Sequence, residues 1–167
     1  MEYKSTGGLQ KMKKLLLISI ILLITISCNK KGEQQIIVVP KNFKGYIILI
    51  HNQKDGMPTK YKGKKRIYEI PKNGILKTQF DTNDGWQEFS EFYYDKIIPE
   101  NKLSSFAEIG KVPINKVVGF MGANGTVRKD SKSNDRIEFS EFYIGTKSEI
   151  EISQEQVEKL DIVELSK

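Results

Sequence analysis

A single cysteine, Cys28, and a single histidine, His51, occur in the 167 residues. That excludes an intrachain disulfide and a zinc site of the usual cysteine and histidine kind. Cohesion must come from packing, no metal site is expected, and any metal would be held mostly by oxygen. Nucleophilic catalysis has little to draw on: His51 is the only imidazole, and no serine has glycines at the offsets of a GxSxG elbow. Long apolar runs are missing too. The stretch from Leu15 to Ile26 is a dozen residues with Ser19 and Thr25 inside, short of the roughly 20 that a spanning helix needs.

What is present begins with an address. Lys13 and Lys14 precede an apolar run from Leu15 to Ile24, and the small residues Thr25 and Ser27 lead into Cys28, the order of a secretory signal peptide. Residues 1–11 show no apolar periodicity and read as an extension ahead of a start at Met12. Thr25-Ile26-Ser27-Cys28 resembles the lipobox of bacterial lipoproteins, departing from it at Thr25, where that family usually has Leu, Val or Ile. The resemblance implies removal of residues 1–27, a diacylglycerol on the Cys28 thiol and often an acyl chain on the new amino terminus, with no other cofactor. Residues 28–35 then form the lipidated cysteine and a polar tether, and residues 36–167 a single mainly-β domain.

The formal net charge of +6 is carried partly by the leader, so the mature chain is near neutral and no nucleic-acid partner is expected. Charge is unevenly spread. Cys28 to Phe80 holds 12 basic and 3 acidic residues, whereas Asp81 to Lys167 holds 11 basic and 17 acidic. Two halves of one domain can attract each other in this way, or a basic face can turn to anionic lipid or glycan.

Short runs rich in Ile and Val at Gln35 to Val39 and Tyr46 to His51 read as strands. The second is apolar at nearly every position, as expected of a central strand buried on both faces. Arg66 to Ile70 and Ile75 to Phe80 flank Lys72-Asn73-Gly74 and read as a hairpin, as do Val117 to Met121 and Thr126 to Arg128 around Asn124-Gly125. Glu88 to Asp95, Ile137 to Ile144 and Glu149 to Ile152 read as further strands. Ile97 to Lys111 reads as an irregular connection, and a short C-terminal helix is expected from about Gln154, capped by Ser153 with Gln156. The pattern predicts a β-sandwich, transthyretin-like or immunoglobulin-like in style. EFSEFY occurs twice, at Glu88 to Tyr93 and Glu138 to Tyr143, as a duplicated hairpin or as two strands in equivalent places of two sheets.

Candidate chemistry is sparse. Asp81 to Trp86 starts like a calcium loop, but the sixth and twelfth places hold Trp86 and Phe92 instead of Gly and Glu. Gly119, Gly122 and Gly125 read as hairpin glycines. Glu88, Glu91, Glu138 and Glu141 are the carboxylates that could act as acid and base. The basic run Lys60, Lys62, Lys64, Lys65 and Arg66, interleaved with Tyr61 and Tyr68, is the candidate contact surface. Trp86 belongs either to that surface or, as the stronger expectation, to the core.

Phe43 to Ile47, Arg66 to Leu76, Gly85-Trp86 and Phe142 to Lys147 together resemble a family of uncharacterised bacterial lipoproteins defined by a domain of unknown function. The signal and the Ser27 to Lys31 junction are similar to those of Bacteroidetes-type lipoproteins. Asn29-Lys30-Lys31 lacks the acidic residues that often follow the cysteine in surface-exported members, which implies an outer-membrane lipoprotein facing the periplasm. The expected role is a non-enzymatic, membrane-anchored module binding an envelope protein or glycan. The alternatives are a carboxylate-dependent, glycan-directed envelope hydrolase and a structural lipoprotein.

Overall fold

The computed structural model describes residues 31–132 and 134–167. The signal segment, Cys28 and the first residues of the tether lie outside the described residues. Lys31 and Asp84–Trp86 belong to one unit, Gly32–Asn83 and Gln87–Lys167 to the other. In the first, Lys31 forms a parallel bridge to Trp86, with its ammonium 5.9 Å from the indole centroid.

The second unit runs β1 (Gln35–Val39), β2 (Gly45–Ile50), β3 (Tyr61–Lys62), β4 (Lys65–Glu69), β5 (Ile75–Lys77), β6 (Glu91–Tyr94) and a 3-10 turn (Pro99–Asn101). It continues through β7 (Lys102–Leu103), α1 (Phe106–Ile109), β8 (Val118–Arg128), β9 (Arg136–Gly145), α2 (Lys147–Val157) and α3 (Ile162–Leu165). One sheet has the order β3-β4-β1-β6-β7 and the other β5-β2-β9-β8. The protein is mainly β with two packed sheets, as the sequence implies.

Up to β6 the chain switches sheets after β1, after β2, after β4 and again after β5. That route explains a feature foreign to immunoglobulin-type sandwiches, whose sheets are antiparallel: β1 pairs in parallel with β4 and with β6, and β2 pairs in parallel with β5. A parallel partner cannot follow through a tight turn, so the chain visits the opposite sheet between the two.

This route corrects the first expected hairpin. The turn at Lys72-Asn73-Gly74 forms, with Gly74 at φ +78°, but β4 leaves it in one sheet and β5 enters the other. The second expected hairpin is absent as well. Asn124-Gly125 lies inside the single strand β8, just past an irregularity between Met121 and Asn124, and the reversal comes after Arg128. Gly119 and Gly125 are therefore strand positions, not turn positions. The rings of Phe92 and Phe139 rest on them, where a Cβ would come within 2.2 Å.

The space between the sheets is filled by Ile37, Val39, Tyr68 and Phe92 from one and Ile47, Leu49, Leu76, Phe142 and Ile144 from the other. The alternate residues of β2, Ile48 and Ile50, face a second cluster with Ile162, Val157, Leu160 and Leu165 from the C-terminal helices. Ile47 to Ile50 are all fully buried, which accounts for the unbroken apolar run.

Glu149 to Ile152 is the expected strand that fails. Its alternation of Glu and Ile has a period of two, yet it lies in α2, which starts at Lys147, seven residues earlier than expected. Glu149 accepts hydrogen bonds from the Thr146 N–H at 2.8 Å and hydroxyl at 2.9 Å, a capping arrangement that fixes the helix start. Ile150, Ser153 and Val157 form the inward stripe at helical spacing, while Ile152 is exposed.

Candidate functional surface

Because β4 and β6 both run parallel to β1, the amino ends of three strands share one pole of this unit and their carboxyl ends share the other. The two poles differ in chemistry.

At the carboxyl pole a cleft of about 450 Å³ opens between Val38, Val39 and Pro40 after β1, Glu69, Ile70 and Pro71 after β4, and Met57, Leu76 and Asp95. Its walls are apolar and Met57 is half exposed. Two carboxylates sit at its rim. Glu69 pairs with Lys60 at 2.5 Å, and Asp95, in the left-handed region at φ 50°, accepts from the Lys41 N–H at 2.7 Å. Nothing in the sequence pattern points to this cleft, because it is assembled from three separate strand ends.

The tether enters at the amino pole, and it is held there. Glu33 accepts from Arg66 Nε at 2.6 Å, and its backbone N–H donates to Asn83 Oδ1 at 2.8 Å. Arg66 also donates to the Asp81 carbonyl at 2.6 Å and carboxylate at 2.8 Å and lies 4.8 Å from the Phe80 ring centroid. Burial opposes its charge, but the hydrogen bonds to Glu33 and Asp81 hold the guanidinium protonated beyond its ordinary range. Burial likewise pushes the neighbouring Tyr68 phenol up to about 12.

The basic run thus divides. Arg66 is buried and anchors the tether and the Asp81 loop, so it is withdrawn from the surface set. Lys60 is taken by Glu69. Lys65 pairs with Glu91 at 2.6 Å; although burial raises the Glu91 carboxyl, its bonds with Lys65 and Tyr93 outweigh that and hold it below the usual range. Among the described residues Lys62 reaches the Ile97 carbonyl, at 3.5 Å, and Lys64 sits exposed at the β3–β4 turn. That hairpin turns at Gly63, with φ +62°. Trp86 is 69 % exposed, against the expectation of core burial.

The EFSEFY copies occupy equivalent places beside the first strand of each sheet, β6 next to β1 and β9 next to β2. One pairing is parallel and the other antiparallel, so the echo marks similar positions and not a repeated hairpin. In each copy the tyrosine hydroxyl donates to the glutamate two residues before it, Tyr93 to Glu91 at 2.8 Å and Tyr143 to Glu141 at 2.9 Å. Phe92 and Phe142 meet between the sheets with centroids 6.2 Å apart.

The same register keeps the glutamates apart. Glu91 lies beside Ile36, and Glu141 beside Ile48 on the face covered by the helices. These are opposite outer faces of the sandwich. Glu138 receives the Asn52 side-chain amide at 3.1 Å, and Glu88 is exposed. Glu141 does line a second cavity, about 610 Å³, with Tyr143, Gln154 and Glu158. Burial, its bond to Glu141 and the nearby carboxylate of Glu158 raise the Tyr143 phenol far above its ordinary range, so that phenol is a fixed donor to Glu141. His51 is buried at the end of β2, its Nε2 2.8 Å from Ser140 Oγ.

Comparison with known proteins gives a family and a fold. The family described as "Family of unknown function (DUF6843)" matches residues 31–155. No curated protein matches the chain. A crystal structure of a "putative lipoprotein" from Bacillus anthracis is similar with a TM-score of 0.52 and 12% identity, over 71% of this chain and 73% of that one. At that identity the likeness concerns the fold.

Proposed function

This chain belongs to that family of unknown function, and we propose that it is a lipid-anchored module of the cell envelope. It is held through Cys28 in the outer membrane facing the periplasm and binds an envelope protein or glycan without chemistry of its own. The observation that carries the reading is the polarity of the sandwich. The segment after the lipobox-like stretch is tied down at the amino pole through Glu33, while the apolar cleft around Met57 opens at the carboxyl pole, available to a partner. The Bacillus anthracis neighbour, described as a putative lipoprotein, supports the lipid anchor alone. Glu91 and Glu141, on opposite outer faces, do not form the converging pair that a hydrolase built on the two EFSEFY copies requires.

In-cell crosslinking followed by affinity capture tests the proposal with wild type, Cys28→Ala and Met57→Glu. Capture of a specific partner, lost with Cys28→Ala and reduced severalfold with Met57→Glu, is the expected outcome. Met57 is on the surface, so its replacement leaves folding intact. Equal capture by all three proteins contradicts the reading.

A further inference from the structure

We propose that the amino pole of the sandwich is a docking surface for an anionic bilayer, which holds the domain against the membrane in one orientation. The inference rests on the lipid anchor proposed above and adds to it which face meets the lipid.

Distance comes first. Cys28 precedes Glu33 by five residues, so it lies within about 17 Å of that residue whatever path the chain takes. Glu33 is fixed to Arg66 and Asn83. A lipid on Cys28 therefore brings the amino pole to the headgroup layer, and the groups at that pole must either suit the membrane or resist it.

They suit it in two respects. The register places Tyr61 and Lys62 level with Gln35 and Gln34 and carries Lys64 beyond them at the β3–β4 turn, and Phe89 stands two residues ahead of Glu91, at the amino end of β6. Tyr61 is 48 % and Phe89 61 % exposed. Aromatic rings and basic side chains together are what a bilayer interface favours.

The second respect is charge that the fold itself does not use. Lys62 and Lys64 form no ion pair among the described residues. At the same pole β8 and β9 run past the end of β2, whose last contacts are His51 N–H to the Glu138 carbonyl and Asn52 to the Glu138 carboxylate. In that overhang Arg128 sits directly across from Arg136. Like charges in facing positions destabilise a ladder, and no carboxylate among the described residues is paired with either guanidinium. Lys129 follows. Asp130 and Asp135 share this turn and Glu88 adjoins Phe89, so the surface is mixed, with bases in the majority. A sheet of lipid phosphates offsets the repulsion between the two arginines.

The test uses the mature lipidated protein on vesicles. Trp86 is the only tryptophan, so Trp86→Phe with Phe89→Trp leaves a single fluorophore at the amino pole, and Trp86→Phe with Lys72→Trp leaves one at the exposed turn at the other end. On vesicles containing phosphatidylglycerol, the first probe should shift to the blue and be quenched by brominated lipid, while the second does neither. Adding Lys62→Gln and Lys64→Gln to the first should lower the docked-to-free ratio about 25-fold, some fivefold per lysine, and high salt should do the same. Vesicle-bound protein whose Phe89→Trp emission is the same on neutral and anionic lipid overturns the docking surface while leaving the anchor intact. Protein that fails to bind vesicles of either kind overturns the anchor, and the docking surface with it.

Discussion

Phe92→Ala is expected to destabilise the sandwich by about 3–5 kcal/mol, whereas Phe89→Ala, three residues away in the same EFSEFY copy, is expected to change stability by less than about 0.5 kcal/mol. Phe92 is fully buried and, from β6, reaches two strands of the opposite sheet, β9 through Phe142 and β8 through Gly119. The backbone of β8 cannot move in to refill the space, since β9 and the Ser104 carbonyl hold it, so truncation leaves a cavity. Phe89 covers little within the fold. Urea unfolding of the two variants measures the contrast. Equal losses would mean that the second phenylalanine of the motif is not a core residue.

Gly74→Ala is expected to cost about 2–5 kcal/mol, from the same unfolding measurement. Two effects add. An L side chain at φ +78° costs roughly 1–2 kcal/mol, and a Cβ would stand 2.3 Å from the Tyr46 carbonyl oxygen, overpacking worth about 1–3 kcal/mol. The contact is with backbone and cannot be relieved by a rotamer change. It also lies beside the bond from the Ile48 N–H to the Gly74 carbonyl, which seats β5 against β2 where the chain crosses between sheets. A substitution that leaves the unfolding midpoint in place would show that this crossing is looser than the geometry requires.

How far the fold can be read from the chain depends on whether the signal is local. β1 and β2 are legible because a strand buried on both faces must be apolar throughout, a property of the strand itself. Turns are legible as turns: Asn73-Gly74 does reverse the chain. What Asn-Gly does not encode is whether the two flanking strands pair with each other, and here each finds its partner in a different sheet. Asn124-Gly125 misleads for another reason. Its glycine answers to the Phe139 ring on the neighbouring strand, a contact that no local pattern records. At Glu149 to Ile152 two local signals compete, and the Thr146–Glu149 cap prevails over the alternation because C-terminal helices are needed to cover Ile48 and Ile50.

The candidate surface divides in the same way. Composition marks the basic run from Lys60 to Arg66, but only the structure separates Arg66, buried and ion-paired, from Lys62 and Lys64, which face outward. Trp86 carries no positional signal in its loop, and its general tendency toward burial gives the wrong expectation. The cleft around Met57, and the facing pair Arg128 and Arg136, depend on which strand ends meet in space, so neither can be found in the sequence alone.

The lipid anchor is tested by the intact mass of the protein extracted from membranes in detergent. The expected species is a chain beginning at Cys28 and carrying a diacylglyceryl group, with or without an added acyl chain, and no such species is expected from Cys28→Ala. A chain of unmodified mass, whether cut at another residue or left whole, would contradict the lipid anchor from which the orientation of the sandwich and the proposed function both follow.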